Sequence, residues 1–233
     1  MKLRFSIIYI ATFLLTACSV QYNLKSYKAI SLDVSEEADS TSLSIITPYK
    51  AGIDSIMNEV LCISKIEMTK GKPESLLGNF VADLCLQQYS EIADICVMNN
   101  GGLRSTLKKG EITRGDIYTL MPFENKLVIL ELDREGYLEL LQHITEKGGE
   151  PFSGVRIVMD ENGTFLNQTL DLSNNKIKVL TSDYLANGGS NMSFFTGKEQ
   201  EIVDLKVRDA IINHCLSNDT IISKLDNRLS IIK

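Results

Sequence analysis

Apolar residues recur at helical spacing in several parts of this chain. Thr47-Pro48 has the form of a helix N-cap with proline at the first helical position. After it, Tyr49, Ile53 and Ile56 fall on one helical face. A similar apolar stripe follows Pro73. The pattern predicts helices that begin near residues 47, 73 and 113 and helices that cover residues 137–144 and 203–216.

Short apolar runs and alternating patterns predict strands between these helices. The predicted strands are 95–98, 126–133, 155–159, 177–181 and 229–232, with a turn at 161–163 and a glycine-rich loop at 183–190. Because helices and strands interleave and some strands neighbour one another as in hairpins, the pattern indicates an α+β fold. We predict one domain over residues 45–233, with a mixed β-sheet and flanking helices.

The N-terminus has the composition of a leader. Lys2 and Arg4 precede an apolar stretch, residues 5–15, that is too short for a permanent bilayer span. The sequence Leu15-Thr16-Ala17-Cys18 that follows is similar to a bacterial lipobox. We therefore predict a signal peptide over residues 1–17 and a lipid on Cys18. An ordinary secretory signal with an incidental cysteine is the alternative.

Residues 18–44 are polar and irregular, which is typical of a flexible tether. A lipid on Cys18 would anchor the chain to a membrane surface rather than thread it through. The expected location is therefore the bacterial cell envelope, at the periplasmic face or the cell surface.

The charge balance limits the partners. The chain has 24 Lys and Arg against 30 Asp and Glu, a formal net charge of −6, which becomes −8 when Lys2 and Arg4 leave with the leader. Polymers of DNA or RNA need a basic surface, so they are not expected as partners, whereas a small anion needs only a few cations. The remaining cysteines, predicted to be buried apolar residues with a disulfide left open, are Cys62, Cys85, Cys96 and Cys215.

Common catalytic motifs of hydrolases are absent from the sequence. His143 and His214 are the only histidines, and each lies near an apolar helical stripe, as core or helix-surface residues do. Asp-x-His, Gly-Asp-x-x-Asp and Asn-His-Glu, which hold two metal ions in phosphoesterases, do not occur. Neither a Gly-x-Ser-x-Gly elbow nor a P-loop is present. We predict no metal ligand and no catalytic residue on this chain.

A glycine pair and an arginine follow the strand predicted over residues 95–98. Gly101 and Gly102 would let the backbone approach a ligand closely, and the carboxyl end of a strand is a common ligand site in α/β proteins. Arg104 carries a planar guanidinium that suits a phosphate or a carboxylate. A structural turn with a surface arginine is the alternative.

Two further loops place an aromatic ring near amides and glycines. One is Pro122-Phe123-Glu124-Asn125 and the other runs from Tyr184 to Ser190. Two rings on separate loops can enclose a flat base, and each stacked base contributes about 1–3 kcal/mol in nucleic-acid complexes. Alternatively, each ring is a core residue.

Together these loops resemble the C-terminal domain of the 5′-nucleotidase and UDP-sugar hydrolase family. The matching motifs, in order, are Asn99-x-Gly-Gly-x-Arg104, Gly110-Glu-Ile-Thr-x-Gly115-Asp116, Pro122-Phe123-x-Asn125 and Tyr184-Leu-Ala-Asn187-Gly188-Gly189. The resemblance covers about residues 45–233. It implies that this domain binds the nucleoside, whereas two divalent metals belong to a metallophosphatase domain that precedes it in the family.

The resemblance also implies roles for individual residues. Phe123 and Tyr184 would stack on the base, Asn99 and Asn125 would hydrogen-bond nearby, and Arg104 would contact the phosphate side. Lys70 and Lys72 are candidates for a basic residue that the family has before the second helix. Ser190 stands where many members have an acidic residue that binds the ribose hydroxyls. The expected substrate-binding residues are Asn99, Gly101, Gly102, Arg104, Phe123, Asn125, Tyr184, Asn187, Gly188, Gly189 and Ser190.

Three functions are compatible with this sequence. The leading hypothesis is the nucleotide-binding half of a 5′-nucleotidase-type phosphohydrolase, without a cofactor of its own, that acts with a separate metallophosphatase subunit in nucleotide catabolism. The second is a stand-alone lipoprotein that captures nucleotides or nucleosides. The third is a degenerate domain that serves as a scaffold, which the uncharged Ser190 favours.

Overall fold

The structure is a computed structural model, and it describes residues 26, 28–30, 39–162, 165–168 and 176–232. The predicted signal peptide, the predicted lipidation site Cys18 and most of the predicted tether lie outside the described residues. The chain divides into two units, Met1–Ser44 and Ile45–Lys233. Within the described ranges, no helix combines the length and the apolar character needed to cross a membrane.

The helices and strands alternate along the chain. The helices are α1 (Ser40–Met57), α2 (Leu76–Gln88), α3 (Arg114–Leu120), α4 (Arg134–Glu146), α5 (Asp183–Ala186) and α6 (Val207–Leu216). The strands are β1 (Val60–Ser64), β2 (Ile95–Val97), β3 (Gly110–Thr113), β4 (Lys126–Asp133), β5 (Phe152–Ser153), β6 (Ile157–Asp160), β7 (Phe165–Gln168), β8 (Lys176–Ser182), β9 (Gln200–Lys206), β10 (Thr220–Ile221) and β11 (Leu229–Ile232).

The described strands form three sheets. The largest has five strands in the order β5-β2-β8-β4-β9, and the other two have the orders β10-β1-β3 and β11-β6-β7. β2 and β8 are parallel, whereas β4 is antiparallel to both β8 and β9. The sheets are therefore mixed, and the predicted α+β domain with flanking helices is confirmed.

The inner strands β2, β8 and β4 of the five-stranded sheet are buried on both faces, and strand β4 shows how. Leu127 and Ile129 belong to the core cluster that also contains residues of α2 and α6. Val128, Leu130 and Leu132 alternate with them and belong to the cluster that contains residues of α4. Because successive side chains point to opposite faces, one strand contributes to both cores. Packing on both faces fixes the positions of the strands, and with them the points at which the loops leave the sheet.

Several predicted elements are confirmed by the structure. β4 has the predicted bounds, and β2 and β11 lie where the apolar runs place them. Helix α3 begins with a capping box, in which the Thr113 side chain accepts from the Asp116 backbone N–H and the Asp116 carboxylate accepts from the Thr113 N–H. The predicted burial of the cysteines is also confirmed, because Cys62, Cys85, Cys96 and Cys215 are buried free thiols.

The helix predicted over residues 203–216 is wrong in its first part. Residues 200–206 form strand β9, in which Ile202 is the register partner of Val128. Helix α6 begins only at Val207. Pairing with the neighbouring strand overrides the local helical periodicity of this segment.

The predicted start of the first helix is also wrong. Helix α1 begins at Ser40, and Pro48 lies inside it rather than at its first position. The Asp39 carboxylate accepts a hydrogen bond of 2.8 Å from the Ser42 backbone N–H, which caps the helix earlier than Thr47 would. No residue of α1 is buried, so the apolar face predicted from Tyr49 and its neighbours is exposed.

Candidate functional site

Sheet topology brings the predicted binding loops to one edge of the five-stranded sheet. β2 and β8 are parallel neighbours, with Cys96 opposite Leu180, so their carboxyl ends lie side by side. β4 runs antiparallel to β8, and Leu127 near its start is opposite Ser182 at the end of β8. The loops after β2 and β8 and the loop before β4 therefore leave the sheet together.

Asn99 links the loop after β2 to the loop after β8. Its Nδ2 donates a hydrogen bond of 3.0 Å to Ser190 Oγ. The Ser190 backbone N–H donates in turn to Tyr184 Oη, at 3.2 Å. The Asn99 amide also lies against the glycine pair, because a Cβ added to Gly102 would be 3.0 Å from Asn99 Oδ1. Residues of two sequence motifs thus form one cluster.

The second glycine pair has a conformation and a contact that exclude side chains. Gly188 has a φ of +89°, in the left-handed region that glycine tolerates best. At Gly189, an added Cβ would lie 2.5 Å from both the Tyr184 ring and the Tyr184 carbonyl oxygen. The Tyr184 ring therefore packs directly on the backbone of its own loop, which fixes the position of the ring.

Arg104 links the loop after β2 to the loop before β4. Its Cζ lies 5.6 Å from the centroid of the Phe123 ring, within the range of a cation–π contact. Its Nη1 donates a hydrogen bond of 3.2 Å to the Gly101 carbonyl. No other acceptor for this guanidinium occurs among the described residues, so the rest of its N–H groups can meet an anion.

A second cation lies beside this arginine. Lys70 Nζ donates a hydrogen bond of 2.9 Å to the carbonyl of Leu103, the residue before Arg104. Lys72 Nζ instead donates to the Lys147 carbonyl. Of the two lysines that the sequence left as candidates, Lys70 is the one that contacts the loop that carries Arg104.

Phe123 and Tyr184 are both accessible to solvent. Their exposed fractions are 38% and 47%. The alternative that either ring is a core residue is therefore wrong. With Arg104 and Asn99 between them, the cluster offers apolar faces, an amide and a guanidinium to a ligand.

Two of the predicted binding residues, Asn187 and Asn125, make their hydrogen bonds outside this cluster. Asn187 Nδ2 donates to the Asp183 carbonyl at 2.7 Å, and its Oδ1 accepts from Gln200 at 3.3 Å, so its amide caps α5. Asn125 is held through its backbone, where its carbonyl accepts from the Val207 N–H at 3.0 Å.

The structure also reveals residues that sequence reasoning missed. Glu124, next to Phe123, accepts hydrogen bonds from Lys206 and Arg208. The hydrogen bond from Lys206, which has the larger effect, and the one from Arg208 lower the pKa of the Glu124 carboxyl to about 2. Arg208 lies 4.2 Å from the ring centroid of Tyr118. Nothing in the local sequence of Arg208 marks it, because its partners are far away along the chain.

The donor groups of this site do not suit a metal pair. Asn, Ser, Tyr and Arg side chains predominate in it, whereas divalent metals prefer carboxylates and imidazoles. No group of three or more His, Cys, Asp or Glu side chains that could hold a metal ion occurs in the described part of the chain. His143 packs edge-on against Phe194 and His214 against Phe80. Burial lowers the pKa of both histidines.

The fold and the cluster define an α+β domain with a loop-built candidate site at the edge of its central sheet. A family model described as the 5′-nucleotidase, C-terminal domain, matches residues 59–197. The chain belongs to this family, a family of hydrolases, as its C-terminal domain.

Known proteins agree with this assignment. The endonuclease YhcR of Bacillus subtilis is 33% identical over 121 residues, which are 50% of this chain and 10% of that protein. The trifunctional nucleotide phosphoesterase protein YfkN of Bacillus subtilis is 24% identical over 218 residues, 81% of this chain and 15% of that protein. The solved 5′-nucleotidase precursor from Thermus thermophilus matches with a TM-score of 0.69 and 19% identity, over 82% of this chain and 43% of that one. The chain thus spans less than half of each of these proteins.

Proposed function

We propose that this chain binds nucleotides or nucleosides at the cluster of Asn99, Arg104, Phe123, Tyr184 and Ser190. The observation that carries the proposal is the continuous series of contacts from Phe123 through Arg104 and Asn99 to Ser190 and Tyr184. It joins three loops around exposed aromatic rings. Such rings stack on bases, and a guanidinium pairs with phosphate.

We further propose that this binding supplies substrate recognition to a metallophosphatase on a separate subunit. Family membership supports this step, as do relatives such as YfkN, whose name denotes phosphoesterase activity and whose length is mostly outside the match. In that arrangement the described residues of this chain bind and orient the nucleotide. Two divalent metals would supply the activated water on the partner subunit.

Calorimetry and phosphate release test the proposal together. AMP and adenosine should bind the purified chain, and AMP should yield no inorganic phosphate with Mg²⁺, Mn²⁺ or Zn²⁺ added. Turnover by the isolated chain would contradict the need for a partner. Absence of binding to either ligand, with and without a candidate partner subunit, would contradict nucleotide recognition and favour the scaffold function.

A stand-alone capture function is the second candidate, and the exposure of both rings favours it. Phe123 and Tyr184 are accessible without any other subunit. Tight binding of AMP by the lone chain would favour capture. Weak binding that a metallophosphatase subunit strengthens would favour the divided enzyme.

A lipid on Cys18 would place either function at the bacterial cell envelope. The sequence around Cys18 is similar to a lipobox, although the residue lies outside the described ranges. Detergent phase partitioning of the protein from expressing bacteria tests this proposal. The natural chain should enter the detergent phase, and a Cys18→Ala variant should not.

A further inference from the structure

Glu124, the residue after Phe123, belongs to a cluster of charged residues that the binding function does not use directly. The Glu124 carboxylate accepts from Arg208 Nη2 through one oxygen and from Lys206 Nζ through the other. Both cations come from the junction of β9 and α6. Since Glu124 adjoins Phe123 in sequence, these contacts restrain the loop that carries the aromatic ring.

The same junction also holds the backbone of the loop. Arg208 Nη1 lies 3.5 Å from the Phe123 carbonyl oxygen, which accepts its hydrogen bond. The Val207 backbone N–H donates to the Asn125 carbonyl at 3.0 Å. Residues 123, 124 and 125 of the loop thus each accept a hydrogen bond from the junction of β9 and α6. Three successive attachments leave little freedom for the backbone that carries the ring.

Arg208 is a buried cation with few alternatives to Glu124. Its side chain is 5% exposed, and its Cζ lies over the Tyr118 ring. Its Nε has no hydrogen-bond partner among the described residues and lies 3.9 Å from a carboxylate oxygen of Asp209. Glu124 is itself 63% exposed, but without it the buried guanidinium would lose its closest carboxylate, which is unfavourable, so the contact holds the two side chains together.

We infer that Arg208 is a positioning residue, which fixes the Phe123 ring for stacking by holding Glu124 and the Phe123 carbonyl. The inference rests on the proposed function, because it assigns Arg208 a role in that same site. Lys206 acts as the second cation on Glu124. The Tyr118 ring packs against the guanidinium, with Arg208 Cζ 4.2 Å from the ring centroid.

A tryptophan reporter tests the inference directly. The chain contains no tryptophan, so Phe123→Trp introduces a single fluorophore at the ring. In this background, Arg208→Met should lower the fluorescence anisotropy of the tryptophan and raise the Kd for adenosine by about tenfold, within the energy of one stacked base. Arg208→Lys keeps the charge without the planar fork and should restore part of both signals.

Two controls separate positioning from general stability. Arg114→Met removes an arginine that pairs with exposed Glu59, and it should change neither signal. Ile144→Val weakens the core cluster on the other face of the sheet; it should lower the melting temperature but leave the tryptophan anisotropy of the folded protein unchanged. If Arg208→Met does not fold, Glu124→Gln removes the same ion pair and should show the same changes.

The two possible failures are distinguishable. Unchanged anisotropy and unchanged Kd in folded Arg208→Met, or in Glu124→Gln where that variant replaces it, would overturn the positioning role. Adenosine binding by the Phe123→Trp protein would at the same time uphold the proposed function. If the Phe123→Trp protein and the natural chain both fail to bind adenosine and AMP, the proposed function is contradicted. The anisotropy of the unliganded variants then still decides whether Arg208 holds the ring.

Discussion

Asn99 and Ser190 are 91 positions apart in the sequence, yet Asn99 Nδ2 donates a hydrogen bond of 3.0 Å to Ser190 Oγ. The bond joins the loop after β2 to the loop after β8. Ser190 has a left-handed backbone conformation, with a φ of 55°, which turns the chain at this point. A neutral hydroxyl thus stands beside the amide, where the family resemblance leads one to expect a carboxylate.

Removal of this hydroxyl should weaken the site. Ser190→Ala leaves Asn99 Nδ2 without its acceptor, and the loss of one such bond typically costs about 0.5–1.5 kcal/mol. We expect adenosine to bind severalfold more weakly, as measured by calorimetry. Ser217→Ala, which removes a hydroxyl bonded to Asn213 on α6, is the matched control and should leave the affinity unchanged. An unaltered Kd in Ser190→Ala would show that the Asn99–Ser190 bond is not needed.

Truncation of either aromatic ring should reduce base binding. Phe123→Ala and Tyr184→Ala should each lose about 1–3 kcal/mol of binding free energy for adenosine, the contribution of one stacked base. Tyr49→Ala removes an exposed ring of α1 and provides the control. The stacking assignment is wrong if both site variants bind adenosine as tightly as this control does.

Arg104 should distinguish nucleotides from nucleosides. Arg104→Ala should weaken AMP by about 1.5–3 kcal/mol, the usual contribution of a hydrogen bond to a charged group. Adenosine, which has no phosphate, should lose less, because only the contact with the Phe123 ring changes. Calorimetric titrations with the two ligands measure the difference. Equal losses for both ligands would place the guanidinium away from the phosphate.

Gly189 should not tolerate a side chain. A Cβ at this position would lie 2.5 Å from the Tyr184 carbonyl oxygen, so Gly189→Ala must displace the loop. We expect a loss of about 1–3 kcal/mol in the free energy of unfolding, together with weaker adenosine binding. Gly52→Ala meets no atom within 4 Å and lies inside α1. That control should be neutral or stabilise the protein by up to about 1 kcal/mol. Chemical denaturation of both variants makes the comparison.

Stability should decrease below neutral pH because of the two histidines. Burial lowers the pKa of His143 and of His214 below the ordinary value of 6.5 in the folded protein. The unfolded chain then binds more protons, so stability is full above that value and falls as the pH drops towards the folded pKa.

Melting temperatures at about pH 7.5 and about pH 5, either side of the usual histidine pKa, test this expectation. The decrease should be smaller in the double variant His143→Gln, His214→Gln. A decrease of the same size in both proteins would assign the effect to other groups. Glu124 contributes little to it, since its folded pKa of about 2 and its ordinary value of 4.5 both lie below this range.

Much of the fold was predictable because its signals are local. The alternation in β4, the capping box at Thr113 and the apolar stripe of α2 each depend on residues within a few positions of one another. Short strands such as β5 and β10, with two residues each, carry too little pattern to be recognised. The prediction of helix over residues 203–206 is wrong because pairing with β4, far earlier in the chain, decides the conformation of strand β9.

By itself, the sequence determined the alternation of elements, the order of the glycine-rich and aromatic motifs, and the family to which they belong. Tertiary structure alone decided that Arg104 meets Phe123 and that Asn99 meets Ser190. It also decided that Arg208, on α6, contacts the loop that carries Phe123. The physical reason is that motif order is a property of the chain, whereas these contacts depend on which strands pair and in which direction. The parallel pairing of β2 with β8 and the antiparallel pairing of β4 bring the loops to one edge, and no local pattern encodes that choice.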